Sequence, residues 1–470
     1  MKRWKCTVCG EIFEGEFPPV PCPVCSAGEG AFEELPEQGD IVWRCTVCGQ
    51  VFEGAKPPVP CPVCGAGESA FLAETKKETA FRLDTEDRFV LVGGGVASFE
   101  AAKAIRARNQ MASITLICGE GVIPYNRPAL SDVVGDGLSF ESITLAEYPF
   151  YEENRITLVC DAKVQAIDTA EKSVLLSNGK ALGYTKLLLA TGANPFVPVT
   201  QGENAVPLYT LRSFADADFL LNHAKNKRAL IVGGGILGVE AALALRERGC
   251  TVCIVELSPR LMMLQADEYA SKVLHERLTA VGISVHTGIS IATTDASGAL
   301  LTDGTHVNAD FILASVGVRS EIALAQKAGL SVNRGIIIDA HMRTSDANIY
   351  AAGDCAEFAG RVTGLYAAAA QGGQNAGAQM AGEEVEYLPA APATAFEGAG
   401  VSLFSTGVLM PNEQGNTLVY ENKYTGVYKK LVFQSGKLAG GILLGDVSAG
   451  AKLIGAVNAA IPYKKALELL

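Results

Sequence analysis

No stretch of this 470-residue chain approaches the roughly 18 consecutive apolar residues of a membrane-spanning helix, although apolar residues make up 49% of it. A membrane is therefore not an expected partner. The opening MKRWKCTVCG lacks the apolar core of a secretory leader, so a cytoplasmic protein is expected. Basic residues are also short: the net charge is -12, and residues 1 to 75 carry 11 acidic against 5 basic side chains. That balance leaves no electrostatic footprint for nucleic acid. The length implies several domains of about 150 residues each. Cysteine, by contrast, is plentiful, with eight of the 13 falling in four C-x-x-C pairs before residue 65. In a chain without an export signal such pairs favour metal over disulfides.

The pairs belong to a duplication. WKCTVCGEIFEGEFPPVPCPVCSAGEGAF (4 to 32) and WRCTVCGQVFEGAKPPVPCPVCGAGESAF (43 to 71) match at 22 of 29 positions with an offset of 39. Modules this small need a staple, usually a metal. Each has C-x2-C-x12-C-x2-C spacing: Cys6, Cys9, Cys22 and Cys25, then Cys45, Cys48, Cys61 and Cys64. Four thiolates close a tetrahedron for zinc or iron. Gly10, Gly49 and Gly65 each follow the second Cys of a pair, where a turn can aim backbone N–H groups at sulfur. Trp4 and Trp43, Phe13 and Phe52, and Phe32 and Phe71 can supply a small aromatic core. With its short x12 loop, each repeat resembles the rubredoxin-like module of rubrerythrins. That resemblance implies one iron per module, cycling between ferric and ferrous; the alternative is a pair of zinc ribbons used for structure or docking.

After an acidic connector at 33 to 42, the stretch 72 to 86 alternates in charge and is expected to be a surface linker. Its 15 or so residues reach about 50 Å at roughly 3.3 Å each, and hold the second module near the rest of the chain at an effective concentration of order millimolar.

From residue 88 the pattern becomes α/β. RFVLVGGGVASFEAAKAIRARN (88 to 109) reads as buried strand, glycine turn and helix. Gly93, Gly94 and Gly95, with Val96, Ala97 and Ser98 opening the helix, form a cradle for a pyrophosphate, Ser98 standing where the fingerprint has Gly or Ala. Glu120, after the next strand, is the candidate acid for an adenosine ribose, 27 residues beyond Gly93. The second unit, 228 to 260, is complete: Gly233, Gly235 and Gly238 fit G-x-G-x-x-G, and Glu256 ends the following strand 23 residues after Gly233. A carboxylate at Glu256 favours NADH by accepting from the 2'-hydroxyl and repelling a 2'-phosphate, although Arg260 lies nearby.

Together with LLLATGANP (187 to 195) and IYAAGDCAEF (349 to 358), the two units resemble the FAD-dependent pyridine nucleotide oxidoreductases. PYNRPALS (124 to 131) and VYKKLVFQSGKLAGGILLGD (427 to 446) are similar to NADH:rubredoxin oxidoreductases and the flavoprotein part of nitrite reductases. The resemblance implies FAD in the first unit and NADH in the second. It further implies that Gly353 and Asp354 meet the flavin's ribityl chain, Arg127 and Pro128 lie near the isoalloxazine, and Val164 offers backbone to the adenine. Thr191 and Gly192 would mark the domain crossing, Gly317 the nicotinamide side, and Glu240 would face the nicotinamide. Where this family has Lys after RPxLS, the chain has Asp132, a carboxylate expected to lower the flavin potential by like-charge repulsion unless it turns outward. Cys250 and Cys253 read as core residues of an apolar strand, and Cys355 as a small buried residue beside Asp354. No C-x4-C follows the first glycine turn and no Cys stands in PYNRPALSD, so electrons are not expected to leave the flavin through sulfur.

The expected fold is α/β. Rubredoxin-like modules span 1 to 37 and 40 to 74, and an FAD domain in two parts (87 to 205, 321 to 386) encloses an NAD domain (206 to 320). A small α+β domain at 387 to 470 follows and, by the resemblance, packs near the flavin or against a second copy in a homodimer. The expected function is passage of electrons from NADH through FAD to the fused iron modules and on to a downstream redox protein, with an oxygen, peroxide or nitric oxide reductase as the sink the resemblance suggests. Glu240 and Asp132 are the candidates for a chemical role. Two alternatives stand beside it: a flavin oxidase or reductase with zinc-ribbon docking modules, and the flavoprotein component of a nitrite-reductase-like complex.

Overall fold

The computed structural model describes residues 3–6, 12–23, 28, 32–35, 41–75, 80–197, 205–389 and 391–469. Two five-stranded parallel sheets of the same design carry most of the chain. In the first, strands Ile349–Ala351, Lys186–Leu189, Arg88–Val92, Ser113–Ile117 and Ile156–Val159 lie side by side in that order. The second places Leu208–Thr210, Phe311–Ala314, Arg228–Val232, Thr251–Glu256 and Ile283–Thr287 in the same arrangement. Both faces of such sheets are covered by helices, which is why their central strands are continuous apolar runs: Phe89 through Val92 and Ala229 through Val232 are all buried. Because the last strand of the first sheet arrives only at Ile349, the second sheet is inserted in the first. The two connections pair with each other, Ala193–Pro195 antiparallel to Val318–Ser320.

A five-stranded antiparallel sheet follows, ordered Ala393–Gly398, Val401–Gly407, Lys437–Leu444, Val427–Gln434 and Asn416–Asn422. The helix Gly450–Asn458 packs Leu453, Ile454 and Val457 into its core. Among the described residues no helix is long and apolar enough to cross a membrane.

Each N-terminal repeat forms a three-stranded antiparallel sheet: Ile12–Glu14, Arg3–Cys6 and Phe32–Leu35 in the first, Val51–Glu53, Ile41–Cys45 and Phe71–Thr75 in the second. The aromatic residues make the small core that the repeats suggest. Trp4 and Trp43 donate from Nε1 to the carbonyls of Gly15 and Gly54 at 3.2 and 3.0 Å. Phe13 meets Phe32 and Phe52 meets Phe71 edge to face, at 6.2 and 5.9 Å.

One expectation needs correction. The stretch read as a linker from residue 72 begins as the strand Phe71–Thr75, paired along its length with Ile41–Cys45. That strand, FLAET, carries a single charge at Glu74, and the alternation in charge that suggested a linker starts only after it. The strand Ala393–Gly398 likewise went unrecognised.

Candidate active site and metal centre

The two glycine turns have the geometry that a bound dinucleotide needs. Gly93 adopts φ +124°, and a Cβ there would lie 2.0 Å from the Ala190 carbonyl oxygen; Gly233 adopts φ +112°, with a Cβ 2.2 Å from that of Ser315. No other residue fits either place. At Gly95 and Gly235, by contrast, a Cβ would meet nothing within 4 Å and would project into open space in front of the turn. Both are helix N-caps without a side chain to bond the first turn, so the leading amides of Val96–Arg108 and Ile236–Glu247 are left for an anionic ligand. Ser98 is fully buried and its hydroxyl has no partner. An orphaned hydroxyl and an open glycine cradle fit a pyrophosphate-bearing cofactor.

Around the first cradle the polar groups are joined by Arg212, a residue that no motif singled out. It donates to Asp354 at 2.9 Å and to the Ala193 carbonyl at 3.0 Å, and its own carbonyl accepts from Arg127. Arg127 also pairs with Glu120 at 2.5 Å and lies over the Tyr125 ring. Glu120, the expected ribose acceptor, thus holds Arg127 and the Tyr125 hydroxyl, the latter at 2.7 Å. Val164 opens the strand Val164–Asp168, and Gly353 opens the turn Gly353–Cys355 directly before Asp354. Thr191 donates to the Glu321 carbonyl at 2.6 Å and Glu321 N–H to that of Gly192 at 2.9 Å, tying together the two connections. Gly317 accepts from the Phe196 amide at 2.9 Å beside them. In the second unit Glu256 accepts from Gly234 and Ser258 amides, each at 2.6 Å, so its carboxylate is anchored on the glycine turn.

The second cysteine module supplies the metal-ligating set. The sulfurs of Cys45, Cys48, Cys61 and Cys64 all lie within 4.8 Å of one another, with Cys45 to Cys64 at 3.6 Å and Cys48 to Cys61 at 3.7 Å. Four soft donors at this spacing fit a tetrahedral zinc or iron. Hydrogen bonding among the four sulfurs draws Cys45 down, through Cys48 first, and Cys61 down, through Cys45 first, and pushes Cys48 and Cys64 up, through Cys45 first. The backbone amides aimed at sulfur come from Cys48 and Val63; Gly49 and Gly65 instead donate to the carbonyls of Cys45 and Cys61 at 2.8 and 2.9 Å. In the first module Cys22 is buried. The Cys6 side chain, Cys9, Gly10 and Cys25 lie outside the described residues.

The module is seated on the flavoprotein. Pro62 and Val63, inside the second knuckle, present their carbonyls to the Asn126 side-chain amide at 3.2 and 2.9 Å. Asn126 is buried and directly precedes Arg127 and Pro128. Tyr366, first residue of the helix Tyr366–Met380, packs against both the module's core and the core of the first sheet. Its hydroxyl is buried without a partner, and burial, then Cys48, drives its ionisation upward. The result is one cleft of about 610 Å3, lined by Cys48, Cys61 and Cys64 on one side and by Pro128, Glu240 and Tyr366 on the other. Asp132 lies on the same wall, part of its surface open to water and part covered. Burial and then Asp132 push the Glu240 carboxyl up to about 7, while burial, Asp136 and Glu247 raise Asp132 itself.

Of the other cysteines, Cys118, Cys250 and Cys355 sit in the core, and Cys160 and Cys253 are partly buried at its edge. Cys250 and Cys355 are buried, their thiols bonded to the carbonyls of Ala224 and Leu189. Cys253 lies in the strand Thr251–Glu256.

Comparison with known proteins gives the same three-part division. Residues 87–373 match the family Pyridine nucleotide-disulphide oxidoreductase, 392–461 the Rubredoxin NAD+ reductase C-terminal domain, and 4–33 and 43–72 the rubredoxin-like domain of rubrerythrin. An assimilatory nitrate reductase electron transfer subunit of Bacillus subtilis is 34% identical, covering 78% of this chain and 49% of its own. NADH-rubredoxin oxidoreductase of Clostridium acetobutylicum is 29% identical over 79% of this chain and 94% of its own. The crystal structure of a covalent putidaredoxin reductase–putidaredoxin complex superposes with a TM-score of 0.74 at 26% identity, covering 81% of this chain and 94% of that one. The chain spans about half the length, or less, of the nitrate and nitrite reductase relatives it matches.

Proposed function

From the premise that the chain belongs to the pyridine nucleotide-disulphide oxidoreductase family and carries two rubredoxin-like modules, we propose that it passes electrons from NADH through FAD to iron held in those modules, and from them to a separate redox protein. The observation that carries this reading is the seating of the second module: three of its cysteines line the cleft that also holds Pro128, Glu240 and Tyr366. Bound FAD supplies hydride acceptance and one-electron release, and an iron on four thiolates takes one electron at a time.

The chain's own residues position these groups. Gly93 and Gly95 let backbone approach one pyrophosphate, Gly233 and Gly235 the other, with the helix amides behind them. Arg212 and Asp354 form a half-buried ion pair at the flavin cradle. Glu256, fixed on its glycine turn, selects NADH over NADPH. Asn126 and Tyr366 hold the second metal site against the flavin loop. Titratable catalysis is not required for hydride transfer, so Glu240 and Asp132 act through charge.

Support for the acceptor comes from the Clostridium acetobutylicum protein, whose name specifies rubredoxin. Metal analysis with an anaerobic NADH titration tests the reading. Iron in both sites, its ferric-thiolate absorbance bleaching with the flavin, is expected; zinc, or iron that stays oxidised while the flavin bleaches, would refute it.

A further inference from the structure

The second module forms one wall of the cleft against the flavoprotein, and the chain carries the sequence of that wall twice. Of the module residues lining it, Val47, Pro62, Val63, Ala66 and Ala70 are the non-cysteine core of the contact. At the offset of 39 the first repeat has the same residues: Val8, Pro23, Val24, Ala27 and Ala31. Of the seven differences between the repeats, only Gly65, replaced by Ser26, falls on the face that lines the cleft. The other six, Glu16 for Ala55 and Phe17 for Lys56 among them, fall elsewhere. The fixed polar contact is made to backbone, since Asn126 bonds the carbonyls of Pro62 and Val63. The first repeat has the same dipeptide, Pro23-Val24, at that place in its sequence.

We propose that the first cysteine module, residues 4 to 32, docks in the cleft now held by the second, and that the two modules exchange on it. The inference deepens the function proposed above and rests on it for its redox consequence. One NADH then reduces two ferric sites in succession, giving NAD+, one proton and two ferrous sites, with no transfer needed between the modules. Tethers allow the exchange: residues 36 to 40 join the strand Phe32–Leu35 of one module to the strand Ile41–Cys45 of the other, and the stretch that follows the strand Phe71–Thr75 joins them to the flavoprotein.

Disulfide traps in the full chain test the docking itself. A Cβ on Gly49 would lie 3.8 Å from Ala367 Cβ, within disulfide range, and Gly10 is the first repeat's counterpart of Gly49. Gly49→Cys with Ala367→Cys should cross-link the second module in place. Gly10→Cys with Ala367→Cys, in a chain whose second module is released by Cys61→Ser and Cys64→Ser, should cross-link the first. Peptide mapping by mass spectrometry reads both, whatever metal is bound. The second-module link without the first would overturn the proposal, and absence of both would remove the docked arrangement on which it stands.

The same Cys61→Ser, Cys64→Ser chain without the traps gives a spectroscopic arm. On anaerobic addition of NADH the remaining ferric site should bleach, with half the wild-type amplitude and at a rate independent of protein concentration. A first site that stays oxidised while the flavin bleaches would mean a serial relay through the second module. Zinc in the wild-type sites would end the electron-transfer reading and leave the traps to decide docking.

Discussion

The two dinucleotide units are built to one plan, and the third position of the glycine fingerprint is where their turns differ. In the NADH unit it is Gly238, where a Cβ would lie 2.0 Å from the Gly233 carbonyl oxygen, so helix and turn touch there. In the FAD unit Ser98 stands at that position and fits, fully buried. The tight contact has moved to the other side of the same helix: a Cβ on Gly373 would lie 2.1 Å from the Ala97 carbonyl oxygen, and one on Gly377 2.4 Å from that of Ala101. The helix Tyr366–Met380 therefore lies almost backbone to backbone on Val96–Arg108. A glycine is demanded wherever two backbones close on each other, and the motif position is only the commonest such place.

The comparison breaks most severely at the helix pair. Gly373→Val should cost about 3 kcal/mol or more, since a carbonyl of the facing helix cannot give way as a side chain can. We expect loss of bound FAD and a thermal midpoint lower by roughly 2–4 °C per kcal/mol; a variant with wild-type flavin content and midpoint would show that the contact is looser than 2.1 Å. Next in size is a reciprocal pair. Gly238→Ala should cost about 1–3 kcal/mol and abolish reduction by NADH while FAD stays bound, whereas Ser98→Gly should change stability by less than about 1 kcal/mol. Equal effects from the two would erase the distinction between the units.

A smaller effect sharpens what the units share. At Gly95 and Gly235 a methyl group enters open space, so Gly95→Ala and Gly235→Ala should leave the stability of the ligand-free protein unchanged. Each should weaken its own dinucleotide by roughly tenfold, about 1.4 kcal/mol. Calorimetric titration of FAD into the apoprotein, and of NADH into the flavoprotein, separates the two. If Gly95→Ala weakened NADH as much as FAD, the assignment of cofactors to units would have to be reversed.

How much of this could be seen in the sequence follows from how local each signal is. The glycine turns, the central strands Arg88–Val92 and Arg228–Val232, and the cysteine spacing are patterns within a few residues of one another; the turns and strands form as read, and so does the four-cysteine cluster of the second module, while that of the first lies largely outside the described residues. AAAAQGGQNAG carries three glycines, Gly373 and Gly377 among them four apart, which lowers helix propensity when read locally. Their use appears only when the partner helix, some 270 residues earlier, is laid against them. Asn126 stood inside a recognised motif, yet its amide reaches 63 residues back to Val63. Arg212 and Tyr366 had no motif at all; each is defined by what it joins, Asp354 to the crossing strand for one and two cores for the other. A single chain with no pattern of exchange between distant positions does not encode such pairings legibly.

The last prediction concerns charge in the cleft, where the FAD-side Asp132 faces the NADH-side Glu240. Burial and then Asp132 hold the Glu240 carboxyl up to about 7, from an ordinary value near 4.5. For an acid whose folded value lies above its unfolded one, the folded state keeps a proton that the unfolded state has already lost. Stability is therefore unaffected below about pH 4.5, falls as pH rises from there to about 7, and is level above. The slope is at most about 1.4 kcal/mol per pH unit and smaller in practice, because Asp132 is exposed and water screens it. Thermal midpoints of the wild type should drop across that window, while Glu240→Gln, which has no proton to lose, should hold level and overtake it near neutral pH. Asp132→Asn should keep part of the drop but end it at lower pH, since burial remains and the neighbouring charge is gone. Parallel curves for all three would mean that Glu240 is solvated in the folded protein, and the two halves of the cleft would then not be coupled through it.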